Sequence, residues 1–244
     1  FETYAAGIFG YLNKIKIIHF SGGEITLGSL DNFFRNSISL MSHKHFVTNE
    51  SHKKNLIKLI GSKKNITVCG SIILDYIKNI KIKSKIELEN RYNIKFKDKN
   101  FLLTYHPETM NLKNNKYNIR TIFNSLIYFE NSNIFVTRPG NDPGSGEIMK
   151  VIKSFKKKYK NKVKYFQILG MDDYISLATH SDIVIGNSSS ALSEIPSLGI
   201  PTINLGSRQN GRPKAKSVIN CKNIEEEKIK LIIKKLLQKK KKIY

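Results

Sequence analysis

The string Gly186-Asn187-Ser188-Ser189-Ser190 joins a glycine turn to three consecutive hydroxyls, directly after the apolar run Ile183-Val184-Ile185. Two readings are open. Small hydroxyl residues at a helix start satisfy its orphan N–H groups, although three exceed what one cap uses. Alternatively, free N–H groups and a helix dipole at the carboxyl edge of a parallel sheet cradle a phosphate. Glu194, five positions after Ser189, either accepts hydrogen bonds from ribose hydroxyls or faces solvent. Arg208 and Arg212 flank Gln209-Asn210-Gly211 behind another apolar run, residues 202–205. Guanidinium forks suit a diphosphate, and in so Lys-rich a chain the use of Arg is informative. His106 follows the run Phe101-Leu102-Leu103-Thr104-Tyr105 and precedes Pro107, where a His is either a ligand contact or a polar core residue. The Gly-rich stretch 139–146 is a further strand-to-helix loop that, alone, describes any turn.

The first part of the chain carries a different set. His19-Phe20-Ser21-Gly22-Gly23-Glu24 leaves a short apolar run, and Asp31 and Arg35 follow one helical turn apart. Glu24 and Asp31 at a strand end could act as acid and base on a bound substrate. The competing reading, favoured by spacing alone, has Asp31 capping the helix that runs through Arg35.

The elements that must position these residues alternate regularly. Strands are expected at 15–20, 45–47, 66–69, 101–104, 134–136, 163–166, 183–185 and 202–205. Helices are expected at 118–130, 146–159, 172–179 and 189–198, and a helical character already marks residues 1–6. Strand and helix in alternation imply α/β architecture: two Rossmann-like parallel-sheet domains, over 1–79 and 80–244. The first holds only three strand candidates and opens inside an apparent helix without an initiator Met, so an upstream βαβ segment is expected to be missing.

Composition narrows the class. With 244 residues, 40% of them hydrophobic, the chain can bury a sizeable core. Cys69 and Cys221 stand far apart with no His cluster, which indicates neither a disulfide framework nor a zinc site and makes the cytoplasm the default. No apolar run is long enough to span a bilayer. The net charge of +23 would ordinarily raise nucleic acid as a partner, but the excess is Lys spread along helix faces and no nucleic-acid motif accompanies it. Neither nucleic acid nor membrane is expected as a partner.

Taken in order, HFSGGEITLGSLDNFFRNSI, MSHKHFVTNE, TYHPET, RPGNDPGSGE, IGNSSSALSEIPSLGIPTINLGSRQNGR and VINC resemble the UDP-N-acetylglucosamine 2-epimerase family. The likeness is to its hydrolysing branch of sialic and legionaminic acid pathways, and it spans nearly the whole chain. It implies a fold like the GT-B glycosyltransferases and a UDP-activated N-acetyl sugar as substrate, with no metal or redox cofactor; a homo-oligomer is left open. By the same likeness Ser188, Ser189, Glu194 and Arg208 bind the UDP part, His106 approaches its phosphates, Asp31 matches a catalytic carboxylate and Arg35 lies beside it. The implied chemistry removes the C2 proton, expels UDP to give a glycal and adds water with inversion at C2. The chain also departs from the family. A Gly-Asp-Arg-ending segment that relatives place before Phe1 is absent, so the chain as given is expected to be inactive alone. Ser21 stands where many relatives have Glu and others His, which moves the acid role toward Glu24. Pro139-Gly140-Asn141 shifts an Asn that relatives place directly after Pro. Two rivals remain: a GT-B UDP-sugar glycosyltransferase, which has no reason to carry the Gly22-to-Arg35 string, and a basic noncatalytic binding module.

Overall fold

The computed structural model describes residues 2–241. Phe1, where helical character is expected to begin, and Lys242, last of the run Lys239-Lys240-Lys241-Lys242, lie outside the described residues. The chain divides into two compact units, Phe1–Lys78 with Asn210–Arg212, and Asn79–Gln209 with Pro213–Tyr244.

The first unit runs α1 (Glu2–Leu12), β1 (Ile18–Phe20), α2 (Asp31–Met41), β2 (Lys44–Val47), α3 (Glu50–Ile60), β3 (Ile66–Val68) and α4 (Ile72–Asn79). Its strands form a parallel sheet in the order β1-β2-β3, with His19 opposite His45 and His45 opposite Ile66. The strand expected at 15–20 starts three residues late. Lys14 takes a left-handed φ of 57° and the Ile15 N–H bonds the Gly10 carbonyl at 2.8 Å, so residues 13–17 close α1 instead of extending β1. Asp31, expected by spacing to cap its helix, is corrected to its first residue. The N-cap is Leu30, which makes no side-chain cap bond. The Asp31 carboxylate accepts from the Ser29 hydroxyl at 2.9 Å and stands in the first turn, where the helix dipole favours negative charge.

The second unit continues with α5 (Lys85–Tyr92), β4 (Lys99–Thr104), α6 (Asn115–Ile127), β5 (Ser132–Thr137), α7 (Ser145–Lys158), β6 (Val163–Phe166), α8 (Met171–Thr179), β7 (Ile183–Gly186), α9 (Glu194–Ser197), β8 (Thr202–Leu205), β9 (Ile219–Cys221) and α10 (Glu226–Lys241). All six strands are parallel, in the order β6-β5-β4-β7-β8-β9. Such a sheet is covered on both faces, which is why β4 buries Phe101, Leu102 and Leu103 together rather than alternating them with polar residues. Phe101 and Leu103 share one core with Ile119, Ile122 and Phe123 of α6 and with Ile229 and Ile233 of α10.

Among the elements of this unit that go unpredicted are β9 and α5. β9 is only three residues long with Asn220 at its centre. α5 does carry a signal in Ser84-Lys85-Ile86-Glu87, a reciprocal capping box in which the Ser84 side chain accepts from the Glu87 N–H and the Glu87 carboxylate accepts from the Ser84 N–H. Asp173 of α8, 4% exposed as a side chain, fastens α5 in place through Lys83, Tyr92 and Arg91, the last at 3.0 Å. Burial works against its charge, yet the bonds from Lys83 and Tyr92 hold its carboxyl below the usual carboxylate value.

The helix expected over 189–198 is not continuous. Ser189–Ala191 forms a single 3₁₀ turn, and α9 follows as four residues. Pro196 explains the break, because it has no N–H for the Leu192 carbonyl and its ring would clash there. The Ala215 N–H meets that carbonyl instead, at 2.9 Å.

Gly186 ends β7 with φ 146°, and a Cβ on it would lie 1.9 Å from the Thr104 carbonyl oxygen of β4. Gly186→Ala is expected to force β4 and β7 apart and to destabilise the unit by ~3 kcal/mol or more. Urea denaturation followed by circular dichroism measures it.

Candidate functional site

Numbered within the second unit alone, the strand order is 3-2-1-4-5-6. The connections after β4 and β7 leave in opposite directions, opening a crevice at the carboxyl ends of those two strands, the place where doubly wound sheets take ligands. His106 follows β4, Gly186–Ser190 follows β7 and Arg208 follows β8. Topology alone therefore brings together three segments that sequence separates by about a hundred residues.

Asn187, with no solvent exposure, binds those segments into one body. Its Oδ1 accepts from the His106 N–H at 2.7 Å and its Nδ2 donates to the His106 carbonyl at 2.8 Å. Its own N–H donates to the Thr104 carbonyl at 3.0 Å. Its carbonyl accepts from Gln209 Nε2 at 2.6 Å and from Arg208 Nη1 at 3.4 Å. Arg208 Nη2 also lies 3.8 Å from the Asp142 carboxylate. A second buried clasp supports the β8 loop: Glu108 accepts from the Ser207 hydroxyl at 2.7 Å, and its Oε1 sits where a Cβ of Gly206 (φ 72°) would be.

The His106 ring is oriented by a different loop. Its Nδ1 accepts from the Gly140 N–H at 2.9 Å, so the neutral imidazole carries its hydrogen on Nε2 and can offer it to an oxygen. Asn141 accepts from Arg138 at 3.1 Å.

Around Ser188 the helix-cap reading does not hold. Ser188 precedes the 3₁₀ turn but makes no side-chain cap bond; its hydroxyl pairs with that of Ser190 at 3.0 Å. The broken helix removes the macrodipole from the phosphate-cradle argument, since a dipole needs aligned turns. The polar groups gathered here are the serine hydroxyls and the Arg208 guanidinium. Glu194 opens α9, half-buried, and accepts from Ser193 at 2.7 Å.

In the first unit, Glu24 is a hub of another kind. Arg212 donates to both its oxygens, from Nε at 2.9 Å and from Nη2 at 2.5 Å. Arg35 Nη2 lies 3.8 Å from Glu24 Oε2, while Nη1 donates to the Glu24 carbonyl and to the Thr26 hydroxyl, each at 3.1 Å. This alters two expectations. Arg212 is a partner of Glu24 within the first unit rather than a free second fork beside Arg208. Glu24 has both carboxylate oxygens taken by a guanidinium, a geometry that suits an anchor better than a proton donor. Ser21 is exposed and left-handed at φ 64°, and its N–H continues the β1–β2 ladder to the Phe46 carbonyl at 2.8 Å.

Three of the four histidines in the same unit are buried or half-buried. His45 and His52 are 2% and 4% exposed, and burial lowers the pKa of both. His19 is pushed down to about 4 by burial first, then by His45 and Arg35. The Ser39 hydroxyl gives its proton to the Arg35 carbonyl at 3.1 Å, so in the 3.0 Å contact between His19 Nδ1 and Ser39 the ring is the donor. Among the described residues no group of three or more His, Cys, Asp or Glu is placed to hold a metal ion, and no helix is long and apolar enough to cross a membrane.

The fold and the clustered donors define a doubly wound α/β protein with a polar site at its topological switch point. The family model described as UDP-N-acetylglucosamine 2-epimerase matches residues 1–244, and the chain belongs to that family. A Campylobacter jejuni relative named GDP/UDP-N,N'-diacetylbacillosamine 2-epimerase (hydrolyzing) is 36% identical, over 90% of this chain and 57% of that protein. Polysialic acid biosynthesis protein P7 of Escherichia coli is 34% identical over 90% and 56%. The chain thus spans somewhat more than half the length of the curated relatives it matches. Two solved structures share the fold: the Neisseria meningitidis UDP-GlcNAc 2-epimerase bound to UDP-GlcNAc (TM-score 0.73, 20% identity, 97% of this chain and 65% of that one) and the Methanocaldococcus jannaschii enzyme in complex with UDP-GlcNAc and UDP (0.73, 21%, 96% and 66%).

The buried histidines set a pH dependence. Unfolded, His19 titrates near 6.5; folded, it titrates near 4. Protons therefore favour the unfolded chain as pH falls between those values, and stability present above about 6.5 is lost on the way down. From pH 7 to pH 5 His19 is expected to remove about 1–2 kcal/mol. Urea midpoints at the two pH values test this, with His19→Asn reducing the difference.

Proposed function

We propose that this chain is part of a hydrolysing 2-epimerase acting on a UDP-activated N-acetyl sugar. UDP-GlcNAc and water give N-acetylmannosamine and UDP, or the diacetylbacillosamine analogue gives its 2-epimer and UDP. The observation that carries the proposal is the Asn187 hub, which holds His106, Arg208 and Gln209 in one rigid set at the switch point, beside the hydroxyls of Ser188, Ser189 and Ser190. The name of the Campylobacter jejuni relative, a hydrolyzing 2-epimerase, supports the same reading.

In this proposal the second unit grips UDP. Arg208 and the hydroxyls of Ser188 and Ser189 meet the diphosphate, His106 Nε2–H donates to a phosphate oxygen, and Glu194 takes the ribose hydroxyls. The reaction begins with loss of the C2 proton. The electron pair of that C–H bond forms the C1–C2 double bond as the C1–O bond breaks, and its electrons leave with UDP. Fixed donors stabilise the charge that develops on the departing oxygen. Water then gives C1 its hydroxyl and C2 a proton on the opposite face. Asp31, half-buried at the start of α2 with Arg35 one turn on, is assigned the proton-transfer role. Glu24, bound by Arg212 and Arg35, and Arg212 itself are assigned to shaping the loop that carries it. The proposal places the reaction in the cytoplasm, within sialic or legionaminic acid synthesis, supported by two free cysteines and by the E. coli relative's name.

Turnover of the native protein in deuterated water, followed by NMR, tests it. Deuterium at C2 of the released sugar and stoichiometric UDP are expected; release of UDP with no deuterium at C2 refutes the mechanism. Asp31→Asn is expected to lower turnover by about 100-fold or more with UDP affinity kept. Arg208→Ala is expected to weaken UDP binding about tenfold or more; unchanged affinity removes Arg208 from the grip.

A further inference from the structure

A chain of hydroxyls runs from α8 to Ser188, which follows β7 in the second unit. The Thr137 hydroxyl, at the end of β5, lies 2.8 Å from that of Thr104 at the end of β4. Thr104 lies close enough to the Tyr174 phenol of α8 to influence it electrostatically. The Tyr174 phenol is 2.8 Å from Ser190 Oγ, and Ser190 is 3.0 Å from Ser188 Oγ. The hydroxyls of Tyr174, Ser190 and Ser188 are thereby joined end to end, with the Thr104–Thr137 pair beside them.

Each hydroxyl has one proton to give and lone pairs with which to accept, so the chain has a direction. A phenol is far more acidic than a serine or threonine hydroxyl and donates better than it accepts, which sets Tyr174 as donor to Ser190. Ser190, its lone pair engaged, passes its own proton toward Ser188. The Ser188 proton then has no acceptor within the chain and points onward. Hydrogen bonds polarise their neighbours in such a series, so a proton offered from its end is a stronger donor than that of an isolated serine. Burial keeps the phenol protonated, raising its pKa above the ordinary tyrosine value, so the direction does not reverse near neutral pH.

We infer that Tyr174 is a positioning residue for the diphosphate: through Ser190 it fixes Ser188 as a hydrogen-bond donor to an anionic oxygen. The inference rests on the UDP grip proposed above and deepens it. It also supplies what the broken helix at 189–198 withholds. Without a macrodipole, the segment needs another source of donor strength at Ser188, and the buried phenol provides it. A phenylalanine at 174 would pack equally well and leave Ser190 and Ser188 free to rotate, so the side chain's hydroxyl, and not its ring, is what the inference concerns.

Calorimetric titration of the full chain with UDP and, separately, with uridine tests the arrangement. For Tyr174→Phe we expect UDP binding about three- to tenfold weaker, with uridine affinity unchanged because uridine has no phosphate. Ser190→Ala interrupts the chain outside the core and is expected to give the same selective loss. In Tyr174→Phe combined with Ser188→Ala the loss is expected to equal that of Ser188→Ala alone, since both act on one bond. Unchanged UDP affinity in Tyr174→Phe and Ser190→Ala, or equal weakening of UDP and uridine, overturns the inference while leaving the UDP grip standing. Failure of the unsubstituted chain to bind UDP at all overturns the grip, and the inference with it.

Discussion

The candidate site depends on one buried amide. Asn187 lies at the end of β7, out of water, and its side chain and main chain together satisfy polar groups on three loops that no secondary structure connects. Such groups cost free energy if left unpaired, so the loops after β4, β7 and β8 have a shared energetic reason to hold a single arrangement. Few other side chains could stand there. The His106 segment needs an acceptor and a donor from the same planar group, which aspartate, leucine and serine do not offer together. The close approach of the backbones that permits this bonding is in turn allowed by Gly186, which leaves the Thr104 carbonyl room. The rigidity of the site follows from a glycine and an asparagine before any residue that would touch a ligand is considered.

The first unit solves a different problem with charge. Glu24 is paired to Arg212 from a distant part of the sequence and to Arg35 from the neighbouring helix, and Arg35 is partly desolvated in the process, its pKa lowered by burial more than Glu24 restores it. An ion pair of this kind is weak evidence for net stability but strongly selects one geometry, because either partner left alone would be a buried charge. Around it lie histidines that burial keeps neutral at physiological pH. The unit therefore trades acid stability for a fixed placement of the loop between β1 and α2, the loop that leads into Asp31.

Much of this was legible in sequence, and the limits have physical causes. Long apolar runs such as Phe101-Leu102-Leu103 mark doubly buried strands plainly, and their alternation with helices gave the parallel α/β class. Short strands at β9 were not legible, since three residues with a central Asn have no period to read. Of the site, His106, Ser188 and Arg208 could be singled out because hydroxyl, imidazole and guanidinium groups after apolar runs suggest a ligand. Asn187, Gln209, Glu108 and Tyr174 could not, because their roles lie in bonds between segments far apart in the chain. Asn187 came nearest to being visible, as the polar residue between a glycine and a run of serines. The ion pair between Glu24 and Arg212 shows the same limit from the other side: both residues were noticed, each was given a ligand to meet, and only folding showed that they meet each other.

The segment from Ser188 to Ser197 illustrates how one residue can redirect a site's physics. The serines would be worth most at the head of a long helix, where peptide dipoles add and point at an anion. Pro196 prevents that helix, and the freed Leu192 carbonyl is taken by the Ala215 N–H, which ties the segment to the chain beyond β8. What the segment loses in dipole it regains in definition. A serine at a frayed helix start can rotate among several acceptors, whereas Ser188 and Ser190 are joined to a phenol anchored in α8. Directional donors of this kind discriminate by the position of the oxygen they meet, and a dipole, which acts at longer range, discriminates only by charge. Under the proposed function, in which a diphosphate is held while the bond to it breaks, the first property is the more useful, since charge builds on one oxygen rather than on the group as a whole.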